Sequence, residues 1–429
     1  MPTSQGRRLV YGVPHPAMRS HRRARVRFQF VKGSPITHSS VLAPTTLEWI
    51  TRLIAFDTTS RNSNRELIDV IAAEVRAHGL EPVLVPNADG TKANLVVTIP
   101  AHDGSTTGGV MLAGHTDVVP VDGQSWSSDP FTAELRDNRL YGRGSADMKA
   151  FSGVILSLLP EFLAQPLSTP LHLAFTYDEE VGCHGAITLL ADLAARGIRP
   201  EICVVGEPTS MRAVSAHKSS HLYRVSFTGL ASHSSNTPNG VNAIEYAARA
   251  IAFIRSIADE HRLNGPYDPS FEVPFSTINV GTISGGAAVN TVAAHCEFEF
   301  EYRAIPGVNT DAIFSRIEAF VLGELRPAMQ AEHSSADVSF APIGAVPALS
   351  AAGTGAALAL VHELTGTSTQ ETVGYGTEGG LFQLAGIDTV VCGPGSIRQG
   401  HTANEYIDLS EIGACEDFMR ALAVRLTHR

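Results

Sequence analysis

The sequence predicts an α/β fold with more than one domain, and three observations support this. Strand-like apolar runs alternate with helical stretches through most of the chain, as in α/β proteins. A chain of 429 residues exceeds the usual size of a single hydrophobic core. From residue 214 to about 342, the order changes to strand, helix, two strands, helix and strand, which is the order of a ferredoxin-like unit.

The elements of this ferredoxin-like interval are expected at defined positions. Its strands are predicted at residues 222–227, 277–283, 296–303 and 337–340, and its helices at 241–258 and 311–322. The first helix has apolar residues at helical spacing, and packing on its own sheet is the ordinary explanation for that face. Exposed sheet edges in such a unit can also pair across a dimer.

Several apolar strands are each followed by a residue of a metal-binding type. In an open α/β sheet, sites gather beyond the carboxyl ends of the strands. The recurrence of this plan is therefore far more specific than any one example. The strands and the residues that follow them are 110–113 with His115, 171–177 with Glu179 and Glu180, 202–205 with Glu207, and 389–392 with His401.

Each candidate also has an ordinary explanation when it is taken alone. His115 fits a solvated loop histidine, and three consecutive acids at 178–180 fit a surface turn. A fifth candidate, Asp147, ends a glycine-rich turn before the helical stretch 150–163, where it fits a helix cap. Three adjacent acids repel one another unless cations are near, which favours a metal site.

Together these residues have the composition of a two-metal site. Two imidazoles and three carboxylates suit a pair of zinc-like ions when one carboxylate bridges them. Asp117 follows His115 by two residues on a strand end, so both side chains face the same way, and Asp117 is predicted to anchor the other ring nitrogen. The set predicts metal-assisted hydrolysis, and it comprises His115, Asp147, Glu180, Glu207 and His401, with Glu179 beside the third.

The motifs resemble those of the dinuclear zinc hydrolases, the family that includes acetylornithine deacetylase, succinyl-diaminopimelate desuccinylase, aminoacylase and carboxypeptidase G. The resemblance runs from about residue 45 to the end of the chain. The matching motifs are Gly-His-Thr-Asp at 114–117, Gly-Arg-Gly-Ser-Ala-Asp-Met-Lys at 142–149, Asp-Glu-Glu-Val-Gly at 178–182, Gly-Glu-Pro-Thr at 206–209 and the late His401.

This resemblance implies an architecture and a cofactor. The implied catalytic domain has a mixed, zinc-peptidase-like sheet and is built from residues 45–213 and 344–429. Residues 214–343 would be an inserted ferredoxin-like lid or dimerisation domain. The family further implies a homodimer with two Zn²⁺ per subunit, for which Co²⁺ can substitute.

The resemblance also implies a role for each site residue. Asp147 would bridge the two ions, His115 and Glu207 would complete one, and Glu180 and His401 would complete the other. Glu179 would be the general base, with Asp117 the partner of His115. The remaining implied residues are His233, a lid-domain histidine that donates to the oxyanion in the partner subunit's active site, and Asn290 and Arg303, which would contact the substrate carboxylate. For Arg303 a surface salt bridge is an equally fair interpretation.

The expected substrate is the N2-acyl amide of an amino acid. Flanking stretches such as 118–124 and 392–397 are most similar to acetylornithine deacetylases, which implies hydrolysis of N2-acetyl-L-ornithine to ornithine and acetate in arginine biosynthesis. Departures at Ser219, 402–404 and 376–380 leave open another deacylase, such as succinyl-diaminopimelate desuccinylase or acetylcitrulline deacetylase, or a metallocarboxypeptidase. From a different class, a metal-binding protein without catalysis has no need of Glu179.

Charge and cysteine content bound the remaining possibilities. The net charge is minus 11, but residues 1–44 carry eight basic and no acidic residues, so the remainder is minus 19. A protein body with this excess of negative charge repels polyphosphate, which excludes nucleic acid as a partner.

The basic extension is expected to be a disordered tail or sequence upstream of the true start, in preference to a transit peptide. Prolines and glycines interrupt the uncharged run 341–361, which argues against a membrane span, and five cysteines indicate reduced thiols in the cytoplasm.

Overall fold

The structure is a computed structural model of the 429-residue chain, and it describes residues 42–428. The predicted basic extension, residues 1–44, therefore lies outside the described residues except for its last three positions.

Fifteen strands form three sheets within the described range. They are β1 Val83–Pro86, β2 Ala93–Ile99, β3 Val110–His115, β4 Glu134–Arg136, β5 Arg139–Tyr141, β6 Leu171–Thr176, β7 Ile202–Val205, β8 Ala213–His217, β9 Ser220–Thr228, β10 Thr277–Gly285, β11 His295–Arg303, β12 Asp337–Val346, β13 Gln370–Val373, β14 Asp388–Val391 and β15 Tyr406–Asp408.

The described range also contains eleven α-helices, two of them before the first strand and one after the last. They are α1 Pro44–Ile54, α2 Arg65–Ala77, α3 Lys149–Ser157, α4 Leu159–Leu163, α5 His184–Ala195, α6 Ala243–Asn264, α7 Thr310–Phe320, α8 Arg326–Glu332, α9 Gly355–Thr365, α10 Gly379–Leu384 and α11 Leu409–Arg425.

The largest sheet has eight strands in the order β1-β2-β6-β3-β7-β14-β8-β13. Its four central strands, β6, β3, β7 and β14, are parallel to one another, whereas β2 and β8 join them antiparallel, so the sheet is mixed as predicted. Successive side chains point to opposite faces of a strand. Leu112 accordingly packs in the core shared with α1, α3 and α11, and its neighbour Met111 packs in the core shared with α5 and α10.

A second sheet has four antiparallel strands in the order β10-β11-β9-β12. Helices α6 and α7 pack on one face of it and bury a core that contains Phe227, Phe298 and Ile254. Its elements follow the predicted order of strand, helix, two strands, helix and strand, with helix α6 running six residues beyond the predicted end. The division of the chain into domains stays a prediction.

One predicted helix is interrupted. The stretch 150–163 forms α3 and α4, with the break at Leu158. Pro160 accounts for the break because proline has no amide hydrogen and its ring clashes with the preceding turn. The break follows the last residue of α3, whereas Asp147 precedes the first, so the break does not affect the turn that carries Asp147.

Two further predictions concern the cysteines and membrane spans. All five cysteines are buried and free. Among residues 42–428, the helices are all too short or too polar to cross a membrane.

Candidate metal centre

The predicted ligands converge at the carboxyl edge of the eight-stranded sheet. His115 is the last residue of β3, Glu180 follows β6, and Glu207 follows β7. Since β6, β3, β7 and β14 are adjacent and parallel, their carboxyl ends meet at one edge. The loop after β14 carries His401, and the turn before α3 carries Asp147.

Two glycines allow the close packing that brings these loops together. A Cβ atom on Gly206 would lie 2.2 Å from the ring of Phe151 in α3, and one on Gly393 would lie 2.1 Å from the carbonyl oxygen of Gly206. Real Cβ atoms do not approach other atoms so closely, so the ends of β7 and β14 depend on these glycines. The consequence is that the strand end leading into Glu207 packs directly against Phe151 of α3.

Asp147 lies between the two imidazoles. Its Oδ1 is 3.0 Å from Nε2 of His115, and its Oδ2 is 3.2 Å from Nε2 of His401. Nε2 of His115 is also 3.9 Å from Oε1 of Glu207, and Nε2 of His401 is 3.0 Å from Oε2 of Glu180. Ligand atoms that share a tetrahedral zinc ion lie about 3.4 Å apart. Each carboxylate oxygen of Asp147 thus faces a different imidazole, at a distance that suits two ligand atoms of one zinc ion.

Several carboxyl groups of the cluster are buried close together, and this shifts their pKa values. Burial, reinforced by the charge of Asp147, raises the pKa of Glu180 to about 7 and that of Glu207 well above its usual value. Burial and the charge of Glu207 likewise raise the pKa of Glu179. Hydrogen bonds to Asp147 and Glu180 raise the pKa of His401 to about 11. The site therefore needs positive charge, which the histidines alone supply only by becoming protonated.

The donor set fits metal ions. Two groups of three residues have their potential ligand atoms within 4.8 Å of one another. One group is His115, Glu179 and Glu207, and the other is His115, Asp147 and Glu180. Oε1 of Glu207 is buried without a hydrogen-bond partner. A buried, unpaired carboxylate oxygen is costly unless a cation is nearby, so this atom is best explained as a ligand.

Asp117 contacts the site in a different way from the prediction. Nδ1 of His115 is 2.9 Å from the main-chain oxygen of Asp117 and 3.6 Å from its carboxylate. The carboxylate instead accepts hydrogen bonds from the main-chain nitrogens of Glu179 and Glu180, at 3.1 and 3.3 Å, and from the hydroxyl of Ser60 at 2.6 Å. Asp117 therefore fixes the imidazole through its backbone and the Glu179–Glu180 turn through its side chain.

All of the predicted ligands except His115 line a cavity of about 510 Å³ between the eight-stranded and the four-stranded sheet. Arg303 lines this cavity and is paired with Glu301, with Nη2 2.7 Å from Oε1. Tyr375 lines it as well, although it belongs to none of the motifs that predicted the site. The one signal for Tyr375 was its place beside the glycine-rich segment 376–380. The predicted site residues in the cavity wall are Asp147, Glu179, Glu180, Glu207, His401 and Arg303.

His233 and Asn290 are not among the residues that line this cavity. Both are exposed, on neighbouring segments joined by a hydrogen bond from the nitrogen of Ser234 to the main-chain oxygen of Asn290, at 3.0 Å. Nδ1 of His233 is 2.7 Å from the hydroxyl of Ser235. These two residues lie together on an exposed surface beside the four-stranded sheet.

Comparison with known proteins agrees with the geometry. The sequence profile of peptidase family M20/M25/M40, a family of metal-dependent peptidases, matches residues 111–425. The acetylornithine deacetylase of Proteus mirabilis is 35% identical over 395 residues, covering 89% of this chain and 97% of that protein. That of Pasteurella multocida is 32% identical over 391 residues, covering 88% and 97%.

Solved structures share the fold at low sequence identity. A tripeptidase from Staphylococcus aureus is 20% identical with a TM-score of 0.69, covering 90% of this chain and 98% of its own. A dinuclear metal binding peptidase of Bacillus subtilis is 15% identical with a TM-score of 0.61, covering 89% and 97%. The profile match and the relatives identify a hydrolase of amide bonds, and the chain belongs to peptidase family M20/M25/M40.

Proposed function

We propose that this protein removes the acyl group from the α-amino nitrogen of an amino acid, with N2-acetyl-L-ornithine as its substrate and L-ornithine and acetate as products. The observation that carries the proposal is the convergence of four ligand-type side chains and Glu179 on one cavity, with the fifth, His115, in contact with Asp147 of that cluster. The relatives that are 32–35% identical and are named acetylornithine deacetylases support the substrate.

The proposed cofactor is a pair of zinc ions, for which cobalt can substitute. His115 and Glu207 would hold one ion, Glu180 and His401 the other, and Asp147 would bridge them through its two oxygens. When bound, zinc polarises the amide carbonyl and lowers the pKa of water in the site. The distances from Asp147 to both imidazoles support this assignment.

Glu179 is the proposed general base. It lines the cavity beside the ligands, and Asp117 holds its main-chain nitrogen. Its carboxylate takes a proton from the attacking water as the water oxygen bonds to the amide carbon. The same proton then passes to the departing amine nitrogen as the carbon–nitrogen bond breaks.

Arg303 and Asn290 are proposed to contact the substrate carboxylate, and His233 is proposed to donate a hydrogen bond to the oxyanion. A guanidinium group can bind a carboxylate through two parallel hydrogen bonds. Arg303 lies in the cavity wall, where one of its terminal nitrogens, Nη2, is paired with Glu301. Because His233 and Asn290 are exposed away from the cavity, their proposed role requires a homodimer in which they serve the partner subunit's site. Free cysteines support the proposed location in the cytoplasm.

The test of the substrate is acetate release by purified protein supplied with zinc or cobalt. We expect N2-acetyl-L-ornithine to turn over faster than N-succinyl-diaminopimelate, N-acetylcitrulline or a dipeptide. Faster turnover of one of those compounds would replace the substrate while leaving the mechanism intact. Zinc binding with no turnover of any acylated amino acid would favour the alternative of a metal-binding protein without catalysis.

The role of Glu179 gives a separate prediction. Glu179→Gln should lower kcat by about 10²- to 10⁴-fold, because the proton acceptor is lost while the shape of the side chain is kept. Metal content, measured by elemental analysis, should stay at the wild-type level. Asp178→Asn is the matched control, since Asp178 is the preceding acid and pairs with Lys92 outside the cavity wall. Equal activity of both variants would remove Glu179 from the mechanism.

A further inference from the structure

A buried ion pair lies beside the turn that carries Asp147. Nη1 of Arg143 is 2.7 Å from Oε2 of Glu405, and the two side chains are 1% and 0% exposed. Neither residue lines the catalytic cavity. Burying a charged pair carries a large desolvation cost, so the pair is poorly explained as a source of stability.

The carboxylate of Glu405 holds almost the whole Asp147 turn. Besides Arg143, its Oε2 accepts a hydrogen bond from the main-chain nitrogen of Gly144 at 3.0 Å. Its Oε1 accepts from the main-chain nitrogens of Ala146 and Asp147, at 2.8 and 3.0 Å. Four donors on one turn therefore converge on one carboxylate, and one of them is the amide of the proposed bridging ligand.

The other end of the network reaches the backbone of His401. Nη2 of Arg143 donates to Oε1 of Gln124 at 2.6 Å, and Nε2 of Gln124 donates to the main-chain oxygen of His401 at 3.0 Å. His401 has a φ of +59°, a left-handed conformation that is unfavourable for a residue with a Cβ. Such a conformation persists only when its surroundings hold it.

We propose that Glu405, Arg143 and Gln124 form a positioning network that sets the distance between Asp147 and His401 before metal binds. The network ties the backbones of two ligands from distant parts of the chain to one buried carboxylate. It resists the mutual repulsion of the cavity acids, which would otherwise push the Asp147 turn outwards. Glu405 is thus a positioning residue for metal affinity, and this inference depends on the proposed function because Asp147 and His401 must be ligands.

The experiment is a calorimetric titration of metal-free protein with Zn²⁺ alone, which measures zinc affinity. Glu405→Gln should weaken zinc affinity by about 10- to 100-fold, the usual effect of losing a partner that orients metal ligands. The amide nitrogen of glutamine would face the donors of Arg143 and Gly144, so half of the hydrogen bonds are lost. Gln124→Ala should weaken affinity less, because it releases only His401.

Asp408→Asn is the matched control. Asp408 lies three residues beyond Glu405 and also pairs with an arginine, Arg139, with Nε 2.9 Å from Oδ1. That pair is 40% and 46% exposed, and it touches neither ligand turn. Exposed pairs contribute little to stability, so this variant should bind zinc as the wild type does.

The outcomes separate the inference from the function that it depends on. Wild-type zinc affinity in folded Glu405→Gln overturns the positioning network while leaving the metal centre in place. If that variant does not fold, Gln124→Ala decides, because Gln124 is partly exposed, and wild-type affinity there overturns the network. Failure of the wild type itself to bind zinc overturns the proposed metal centre.

Discussion

Asp117 shows how one residue serves two neighbours through different atoms. Its main-chain oxygen is hydrogen-bonded to Nδ1 of His115, and its carboxylate accepts hydrogen bonds from the main-chain nitrogens of Glu179 and Glu180. Replacing the side chain therefore leaves the imidazole's hydrogen bond in place and releases the turn that carries the proposed base.

Asp117→Ala should consequently reduce turnover by about 10- to 100-fold, in line with other losses of an orienting partner. Because the partner of His115 is a backbone atom, zinc affinity should fall less than turnover does. Steady-state kinetics and zinc titration of the same preparation measure both. A larger loss of zinc than of turnover would mean that the carboxylate acts mainly on His115.

His221 gives a prediction for the pH dependence of stability. Its ring stacks on Tyr302, with centroids 4.7 Å apart, and its Nε2 is buried without a hydrogen-bond partner. Burial lowers the pKa of His221 to about 4, against a weak opposing effect of Asp311. The unfolded chain thus binds a proton between about pH 6.5 and pH 4 that the folded chain does not, so the free energy of unfolding falls as the pH drops through that range.

His221→Phe keeps the stacking and removes this proton. Denaturant unfolding at a series of pH values should show a shallower loss of stability between pH 6.5 and 4 than in the wild type. His217, whose pKa burial also lowers to about 4, should supply part of the slope that remains. An unchanged slope would mean that His221 protonates equally well in the folded protein.

At the scale of the elements, the close contact between the end of β7 and α3 is sensitive to substitution. Gly206→Ala places a methyl group 2.2 Å from the ring of Phe151. It should lower the free energy of unfolding by about 1–3 kcal/mol and displace Glu207. Gly323→Ala is the control, because its Cβ would meet nothing within 4 Å in a helical segment, and stability should be unchanged or higher by about 0.5–1 kcal/mol. Denaturant unfolding measures both.

The elements also show what the sequence could predict. The strand ends that precede His115 and Glu207 were readable because an apolar run, a glycine and a polar residue follow in order. The order of the sheet was not readable, since β14 enters between β7 and β8 through contacts far apart in the chain. The role of Glu405 was equally hidden, because its partners are main-chain amides that carry no residue signature.

At the scale of the molecule, the position of His233 predicts a property of the assembly. His233→Ala should lower turnover without loss of zinc, because His233 lies outside the cavity wall of its own subunit. If it serves the partner subunit, mixing His233→Ala with Glu179→Gln and allowing the subunits to exchange should restore part of the activity. The restored sites would pair an intact Glu179 with an intact His233 from the other chain. Mixed protein as inactive as its parents would contradict this arrangement.

The distance along the chain between ligands has a consequence for synthesis. His401 and Glu180 meet although 221 positions separate them, and β14, which lies between β7 and β8 in the sheet, follows both of them in the chain. A nascent chain released before residue 388 would have nothing between β7 and β8 and would lack His401. The proposed metal centre would be complete only once His401 has been synthesised, and chains terminated before β14 would expose an unfinished sheet to aggregation and proteolysis.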